Sequence, residues 1–374
     1  MPLFDPKKPL RDHIIILNDA LIIPYGKGRK RGISRPAGVY DSQGNYQPIG
    51  QCLRSAQLPT TTKPDDNPLP TTEADLKGAW LFGGLLYQHF GHALLESTAR
   101  LWARSVLPEV NSVAFLMKKQ MTWPNKFTRP MRPMMEMMSG GIGEMSGIKV
   151  PTRVERLVVP PQAFGTGTMI AGSPDFRAHV QAVLPQRVNP EGAEKIYISR
   201  SGLFSKRGRY FAEARIEALL SAEGYRIYHP QTEDLAAQAA QYAAAKVIIS
   251  SDSSALHLAA FFARPESRVA IVVRRPGNAL GDYQTQYRWF AQVEPDVIDA
   301  LNGRFYQFES AKLSQFSELY SELDFPRLGS MLAAKGYVQK PKLWVQPDPN
   351  EIKAEQSELS ERLGSEIFLA EALC

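Results

Sequence analysis

A chain of 374 residues, 44% hydrophobic and 22% charged, has an ordinary globular composition and the length for about two domains. A formal charge of +6 is too small an excess to argue for nucleic acid and suits an anionic small substrate or an anionic membrane surface. Two cysteines, Cys52 and Cys374, exclude a disulfide framework and a cysteine zinc pattern. No run approaches the ~20 apolar residues of a membrane span, and MPLFDPKKPLRDH has no apolar core segment behind its charges, so it does not read as a signal peptide.

In chain order, DHIIILNDALIIP (residues 12–24) predicts two short strands around a turn at Asn18 and Asp19. The basic loop GKGRKRG (26–32) reads as solvated, with phosphate binding as the alternative, because no strand-to-helix context frames it. A Pro-, Thr- and Asp-rich stretch (56–76) reads as a surface connection. GAWLFGGLLYQHFGHALLESTARLWA (78–103) starts apolar and turns into an amphipathic helix from about Gly91. His92, Glu96 and Arg100 fall at i, i+4 and i+8 on it and form one polar stripe. VNSVAFLM (110–117) is a buried strand. The methionines that follow, Met131 to Met145, read as core filling or a mobile flap, with an adaptable binding surface as the alternative. GIKVPTRVERLVVPP (147–161) holds two further short strands.

From Lys195 the pattern becomes regular. Strands at 195–200, 225–230, 246–250 and 267–273 alternate with helices at 209–224, 232–245 (Thr232 as N-cap) and 253–263. Such alternation predicts a parallel sheet with helical crossovers. Beyond Arg275 the pattern weakens to loops and one or two helices. NEIKAEQSELSERLGSEIFLAEAL (350–373) predicts a terminal amphipathic helix carrying Ile352, Leu359, Leu363, Ile367 and Ala370 on its apolar side.

Two polar clusters could carry chemistry. In the second half, Arg200, Lys206, Arg207 and Arg209 follow one strand, while Asp252, Ser253, Ser254 and His257 follow another. In a parallel sheet both loops emerge on one edge, where open α/β sheets bind ligands. Guanidinium groups facing a helix N-terminus are what a diphosphate requires, so Arg200, Lys206, Arg207, Ser253 and Ser254 form the candidate anion clamp. In the first half His92 is the group that exchanges protons near neutral pH, and Glu96 one turn later could hold its other ring nitrogen. His89, Arg100, Asp252, His229 and His257 are further candidate substrate contacts. No His-Glu-x-x-His and no Asp-x-Asp after a strand is present, so no metal is expected and cations take its place.

FGHALLESTARL (90–101) resembles the aromatic-Gly-His-x-Leu-Leu-Glu signature of glycosyltransferase family 61, often labelled capsular polysaccharide biosynthesis proteins in bacteria. KIYISR with the following SKRGR and Glu213 is similar to that family's tyrosine-x-Ser-Arg block, and AAQYAAAKVIISSDSSALHLAAFF resembles its last block. His89 stands where the family usually has Asn. Asp252, Ser253 and Ser254 replace its usual turn and look instead like the donor site of lipopolysaccharide heptosyltransferases. The resemblance implies an α/β protein of GT-B-like architecture, two Rossmann-like domains facing across a cleft. Residues 1–180 would form the acceptor-side domain, 190–345 the nucleotide-sugar domain and 346–374 the terminal helix. It further implies an inverting glycosyltransferase of surface polysaccharide synthesis, cytoplasmic and in possible peripheral contact with the inner membrane. Its substrates would be a nucleotide-sugar, UDP-sugar favoured, and a saccharide acceptor, with no other cofactor and no nucleic-acid partner. A heptosyltransferase-like enzyme using an ADP-sugar and a non-catalytic carbohydrate-binding protein are the alternatives.

Overall fold

Continuous apolar runs become parallel strands in both halves of the chain, because a strand covered on both faces by helices has no polar face to show. The computed structural model describes residues 4–26, 33–65, 68–118, 124–203, 208–277, 279–309 and 318–370. The chain divides into two units, Met1–Asn189 and Pro190–Cys374.

The N-terminal unit is built on a six-stranded sheet. Its strands are β1 (Ile15–Ile23), β2 (Gly38–Tyr40), β3 (Ala74–Leu86), β4 (Ser112–Met117), β5 (Met145–Ile148) and β6 (Thr152–Val159). In space they run β2-β1-β6-β3-β4-β5. The four strands from β6 to β5 are parallel, and β1 and β2 add an antiparallel edge. From β3 the chain steps outward to β4 and β5, then returns to lay β6 on the other side of β3. The order therefore reverses between β3 and β6, and such a switch point leaves a crevice at the carboxyl ends of the two strands. Helices α1 (Pro124–Ser139) and α2 (Pro174–Arg187) pack together in this unit. Met134, Met135, Met137 and Met138 of α1 are buried, so these four methionines fill the core.

Two local expectations change here. Residues 15–23 form one strand, because Asp19 takes φ 52° inside it and the Asn-Asp pair kinks the strand without ending it. The helix expected from Gly91 to Ala103 is a single turn, Phe90–His92, widening into a π-helical turn, Ala93–Ser97, and then a 3-10 turn, Leu101–Ser105. Tertiary bonds account for the break. Ser97 Oγ accepts from the Tyr87 amide at 3.0 Å and donates to the Leu85 carbonyl at 2.9 Å, tying the turn to the end of β3. Thr98 Oγ1 donates back to the Leu94 carbonyl at 2.6 Å. The strand end itself needs Gly83 and Gly84. A Cβ on Gly83 would lie 2.4 Å from the Phe115 ring, and Gly84 has φ 81° at a register shift against β4.

The C-terminal unit contains a five-stranded parallel sheet of β7 (Lys195–Ile198), β8 (Arg226–Tyr228), β9 (Val247–Ser251), β10 (Arg268–Val272) and β11 (Asp296–Ile298), in the order β8-β7-β9-β10-β11. Helices α3 (Glu213–Ser221), α4 (Leu235–Ala244) and α5 (Ala255–Ala259) connect its strands, and α6 (Ala279–Ala291) follows β10. The predicted alternation is present with later helix starts. Ala212, at φ 54°, delays α3, and Asp234 caps α4 in place of Thr232. The order reverses between β7 and β9, so the loops carrying Arg200 and Asp252 flank the switch point. A three-stranded antiparallel sheet of β12 (Leu301–Phe308), β13 (Tyr320–Leu323) and β14 (Ile367–Leu369) follows with α7 (Phe325–Ala334) and α8 (Pro349–Leu363). The terminal helix stops at Gly364, whose φ of 58° closes it, and Ile367 enters β14 instead. Ile352 and Leu359 of α8 bury against Tyr306, Phe325 and Trp344 in one core. Each such buried side chain stabilises by roughly 1.5–3 kcal/mol.

Candidate functional site

In the N-terminal unit the chain leaves β3 at Tyr87, Gln88 and His89 and turns at once into Phe90–Ser97. His92 Nδ1 lies 2.6 Å from Glu96 Oε1, the i, i+4 partner predicted by the spacing. The Glu96 side chain is 3% exposed and that of His92 33%, so a buried carboxylate holds a ring that solvent can still reach. With Nδ1–H donating to Glu96, Nε2 is the basic atom of His92. The ring packs 5.3 Å from Tyr87 and 5.1 Å from His89. Burial, and then the nearby Glu96 carboxylate, push the Tyr87 hydroxyl well above its ordinary value and keep it a neutral donor. His89 itself is exposed.

Arg100 does not join this stripe. It is 1% exposed and donates Nη1 to the carbonyls of Ile49 (3.2 Å) and Pro160, and Nη2 to the carbonyl of Gln51 at 2.7 Å. After the π-helical turn the i+8 position no longer shares a face with His92, so Arg100 ties the 49–51 segment to the end of β6 and is no substrate contact. Arg54 takes the place beside Glu96, with Nε 3.8 Å from Oε1. The amine of Lys118, the first residue after β4, sits 4.8 Å from the Tyr87 ring centre.

In the C-terminal unit the loop after β7 is held by one buried carboxylate. Glu213 Oε1 accepts from the Tyr197 hydroxyl at 2.9 Å, the Arg200 amide at 2.9 Å and the Ser199 hydroxyl at 3.4 Å. This gives the Tyr-x-Ser-Arg block and Glu213 a physical reason to occur together. Burial raises the Glu213 pKa, and the amide and hydroxyl donors oppose the rise. The Arg200 guanidinium donates Nε to the Gly208 carbonyl at 3.2 Å. Burial, followed by repulsion from Arg274, pushes its pKa down to about 10.

The loop after β9 brings Asp252 to the same edge. Asp252 is 2% exposed and forms two charged hydrogen bonds, to Arg274 Nε at 2.9 Å and Arg275 Nε at 2.8 Å. Asp252 is thus an internal anchor and not the substrate contact expected from sequence. Arg274 is buried and also donates to the Leu319 carbonyl at 3.2 Å, whereas the Arg275 side chain keeps 19% exposure. Ser253 is buried, and its hydroxyl has no hydrogen-bond partner among the described residues. Ser254 precedes α5 without a side-chain cap bond, and α5 is only five residues long, so its dipole is a small contributor. His257 is fixed by Gln286, with Nδ1 2.6 Å from Oε1 and the Gln286 amide donating back to the His257 carbonyl at 2.9 Å; its ring packs 4.6 Å from Tyr283. His229, after β8, lies 3.8 Å from Glu217. Lys206 and Arg207 lie outside the described residues.

Arg274 and Arg275 escaped the sequence reading. Their signal is an Arg-Arg-Pro-Gly run straight after an apolar strand, at the edge where Arg200 and Asp252 emerge. Arg54 and Lys118 escaped it as well, the first because it stands in a weakly patterned stretch, the second because strand ends carry a lysine for many reasons. Among the described residues, no group of three or more His, Cys, Asp or Glu side chains is gathered as metal ligands, and no helix is long and apolar enough to cross a membrane.

A mixed α/β chain with parallel sheets and polar loops at both switch points is the class of structure on which Rossmann-like glycosyltransferases are built. The family described as Glycosyltransferase 61 matches residues 90–270, and over that segment the chain is similar to family 61 glycosyltransferases. The segment contains His92, Glu96, Arg200, Asp252, Ser253, Ser254 and His257 and stops short of Arg274 and Arg275. No curated protein matches the chain.

Proposed function

We propose that the chain is an inverting glycosyltransferase that moves a sugar from a nucleotide-diphosphate sugar, UDP-linked by preference, to a saccharide acceptor. The C-terminal unit takes the donor and the N-terminal unit the acceptor. The observation that carries this reading is the convergence of Arg200, Asp252, Arg274 and Arg275 at the carboxyl ends of three adjacent parallel strands. Two carboxylates, Asp252 and Glu213, face three guanidinium groups there, so the loop cluster keeps positive charge for an anion. Arg274 pins Asp252 from the buried side. Arg200 and Arg275 are the cations that face the diphosphate, with the Ser253 hydroxyl as an added donor.

The chemistry is an in-line displacement. Nε2 of His92 takes the proton of the acceptor hydroxyl while that oxygen bonds to the anomeric carbon. The bond from the anomeric carbon to the phosphate oxygen breaks, and its electron pair leaves on the diphosphate, where Arg200 and Arg275 meet the developing charge. Glu96 holds the imidazole tautomer and balances the imidazolium that forms. Cations fill the role at the leaving group that a metal ion has elsewhere. The placement in bacterial surface polysaccharide synthesis, in the cytoplasm and beside the membrane, rests on the resemblance of the three sequence blocks.

The test is a thermal-shift comparison of UDP, ADP, GDP and CMP with the full chain, followed by release of free nucleotide from the matching sugar nucleotides. Stabilisation by UDP above the others and nucleotide release abolished by Arg200→Ala support the reading. A shift with ADP alone would move the donor to the heptosyltransferase-like alternative. No shift with any nucleotide diphosphate and no release would leave a non-catalytic carbohydrate-binding protein.

A further inference from the structure

The surroundings of the His92–Glu96 pair carry more positive charge than the pair itself can use. Arg54 Nε lies 3.8 Å from Glu96 Oε1, too far for a hydrogen bond, and it has no hydrogen-bond partner among the described residues although it is buried. The Lys118 amine stands over the ring of Tyr87, and Tyr87 in turn packs against His92. Arg35 is close enough to both Lys118 and Tyr25 to influence their protonation, so it belongs to the same neighbourhood. Burial, and then Arg54, hold the Lys118 pKa below its ordinary value, and Glu96 opposes them. The opposing charge beside them is Glu96, whose Oε1 is held by His92 while Oε2 has no hydrogen-bond partner among the described residues. The buried Arg54 Nε without a hydrogen-bond partner is costly, and a ligand anion on that guanidinium would relieve the cost.

Arg35 and Arg54 also lie outside the segment 90–270 that matches the family.

We propose that the acceptor is an acidic saccharide, and that its carboxylate or phosphate binds between Arg54 and Lys118 beside the hydroxyl that His92 deprotonates. This rests on the acceptor-side reading of the His92 unit given above. Arg54 is suited to bidentate capture of the anion, and the Lys118 amine adds a second charge.

Ligand-observed NMR with the full chain tests it without turnover. The probes are methyl β-glucuronide, glucose 6-phosphate and methyl β-glucoside, each titrated with and without UDP. Saturable binding of the glucuronide or the phosphate at least about tenfold tighter than the glucoside is expected, the scale of one charge-assisted hydrogen bond. Which acid binds identifies the anion as carboxylate or phosphate. Arg54→Gln and Lys118→Gln should each remove most of that preference, and Arg54→Lys, which keeps the charge, should retain part of it. Unchanged melting midpoints establish that the variants fold. Equal binding of glucoside and acids, no saturable binding of either acid, or acid binding indifferent to both Gln variants overturns the proposal. So does a loss of UDP affinity in the same variants, which would make these cations part of the donor site. Acid binding in a chain that fails to bind any nucleotide diphosphate would sink the donor reading and leave this one standing.

Discussion

The buried carboxylate of Glu213 accepts the backbone amide of Arg200 at 2.9 Å and so fixes the first residue of the loop that leaves β7. The same oxygen takes the hydroxyls of Tyr197 and Ser199, and Arg200 is thereby positioned through its main chain while its guanidinium is held, among the described residues, only by Nε donating to the Gly208 carbonyl. Removing the carboxylate strands the Tyr197 hydroxyl and the Arg200 amide, while the Ser199 hydroxyl keeps its bond to Glu217 at 2.5 Å. Glu213→Ala should lower stability by about 3 kcal/mol and Glu213→Gln by about 1 kcal/mol, since the amide oxygen still accepts. Urea unfolding of the two variants checks the order, and equal losses would contradict it.

Asp252 holds two arginines, one of them buried. Asp252→Asn leaves Arg274 without its charge partner, and breaking a buried pair from one side costs about 3–5 kcal/mol. Asp252→Asn combined with Arg274→Met removes both charges and should recover most of the lost stability. Because Arg275 also loses its anchor, nucleotide affinity should stay low in the double variant. Recovery of both properties together would mean that Asp252 matters for folding alone.

His92 and Glu96 should separate kinetically. Loss of a general base typically costs about 100- to 10,000-fold, so His92→Ala should lower kcat by that factor at saturating substrates. Glu96→Gln keeps a hydrogen bond to Nδ1 but loses the balancing charge, and a loss of about 10- to 100-fold in kcat with little change in KM is expected. Near-normal transfer by His92→Ala would remove the base assignment.

His179 predicts a pH dependence of stability. Its Nδ1 lies 2.6 Å from Ser105 Oγ and its Nε2 2.7 Å from the Met138 carbonyl, in the buried contact between α1 and α2. Burial, aided by Arg104, holds its pKa below the ordinary imidazole value, with the Met138 bond opposing. In the window between that lowered pKa and about 6.5, the unfolded chain binds a proton that the folded chain does not, so stability rises with pH. The contribution is present above about pH 6.5 and is lost as pH falls through the folded value. Urea midpoints at about pH 7.5 and about pH 5.5 should differ less for His179→Gln than for the natural chain.

What could be read from the sequence followed from local physics. The strands of the C-terminal sheet are short apolar runs bounded by helices, and that pattern alone specifies parallel pairing. The pairing of His92 with Glu96 followed from helical spacing over a single turn, a distance too short for the later break to matter. Arg100 was misread because Ser97 and Thr98 bond out of the helix and end its register. Asp252 was misread because its partners, Arg274 and Arg275, lie a whole βα unit downstream, and only the parallel neighbours β9 and β10 bring them back to it. The cations around His92 come from three separated segments that carry no shared pattern, so only the folded sheet reveals them as one group.

Isothermal titration of UDP into the full chain and into Arg275→Ala is the most direct test that these loops bind a donor diphosphate. The account predicts saturable binding by the natural chain and a loss of about tenfold or more in the variant, the scale of one charged hydrogen bond to phosphate. Identical affinities in the two proteins, or no binding of UDP or of any other nucleotide diphosphate, would contradict it.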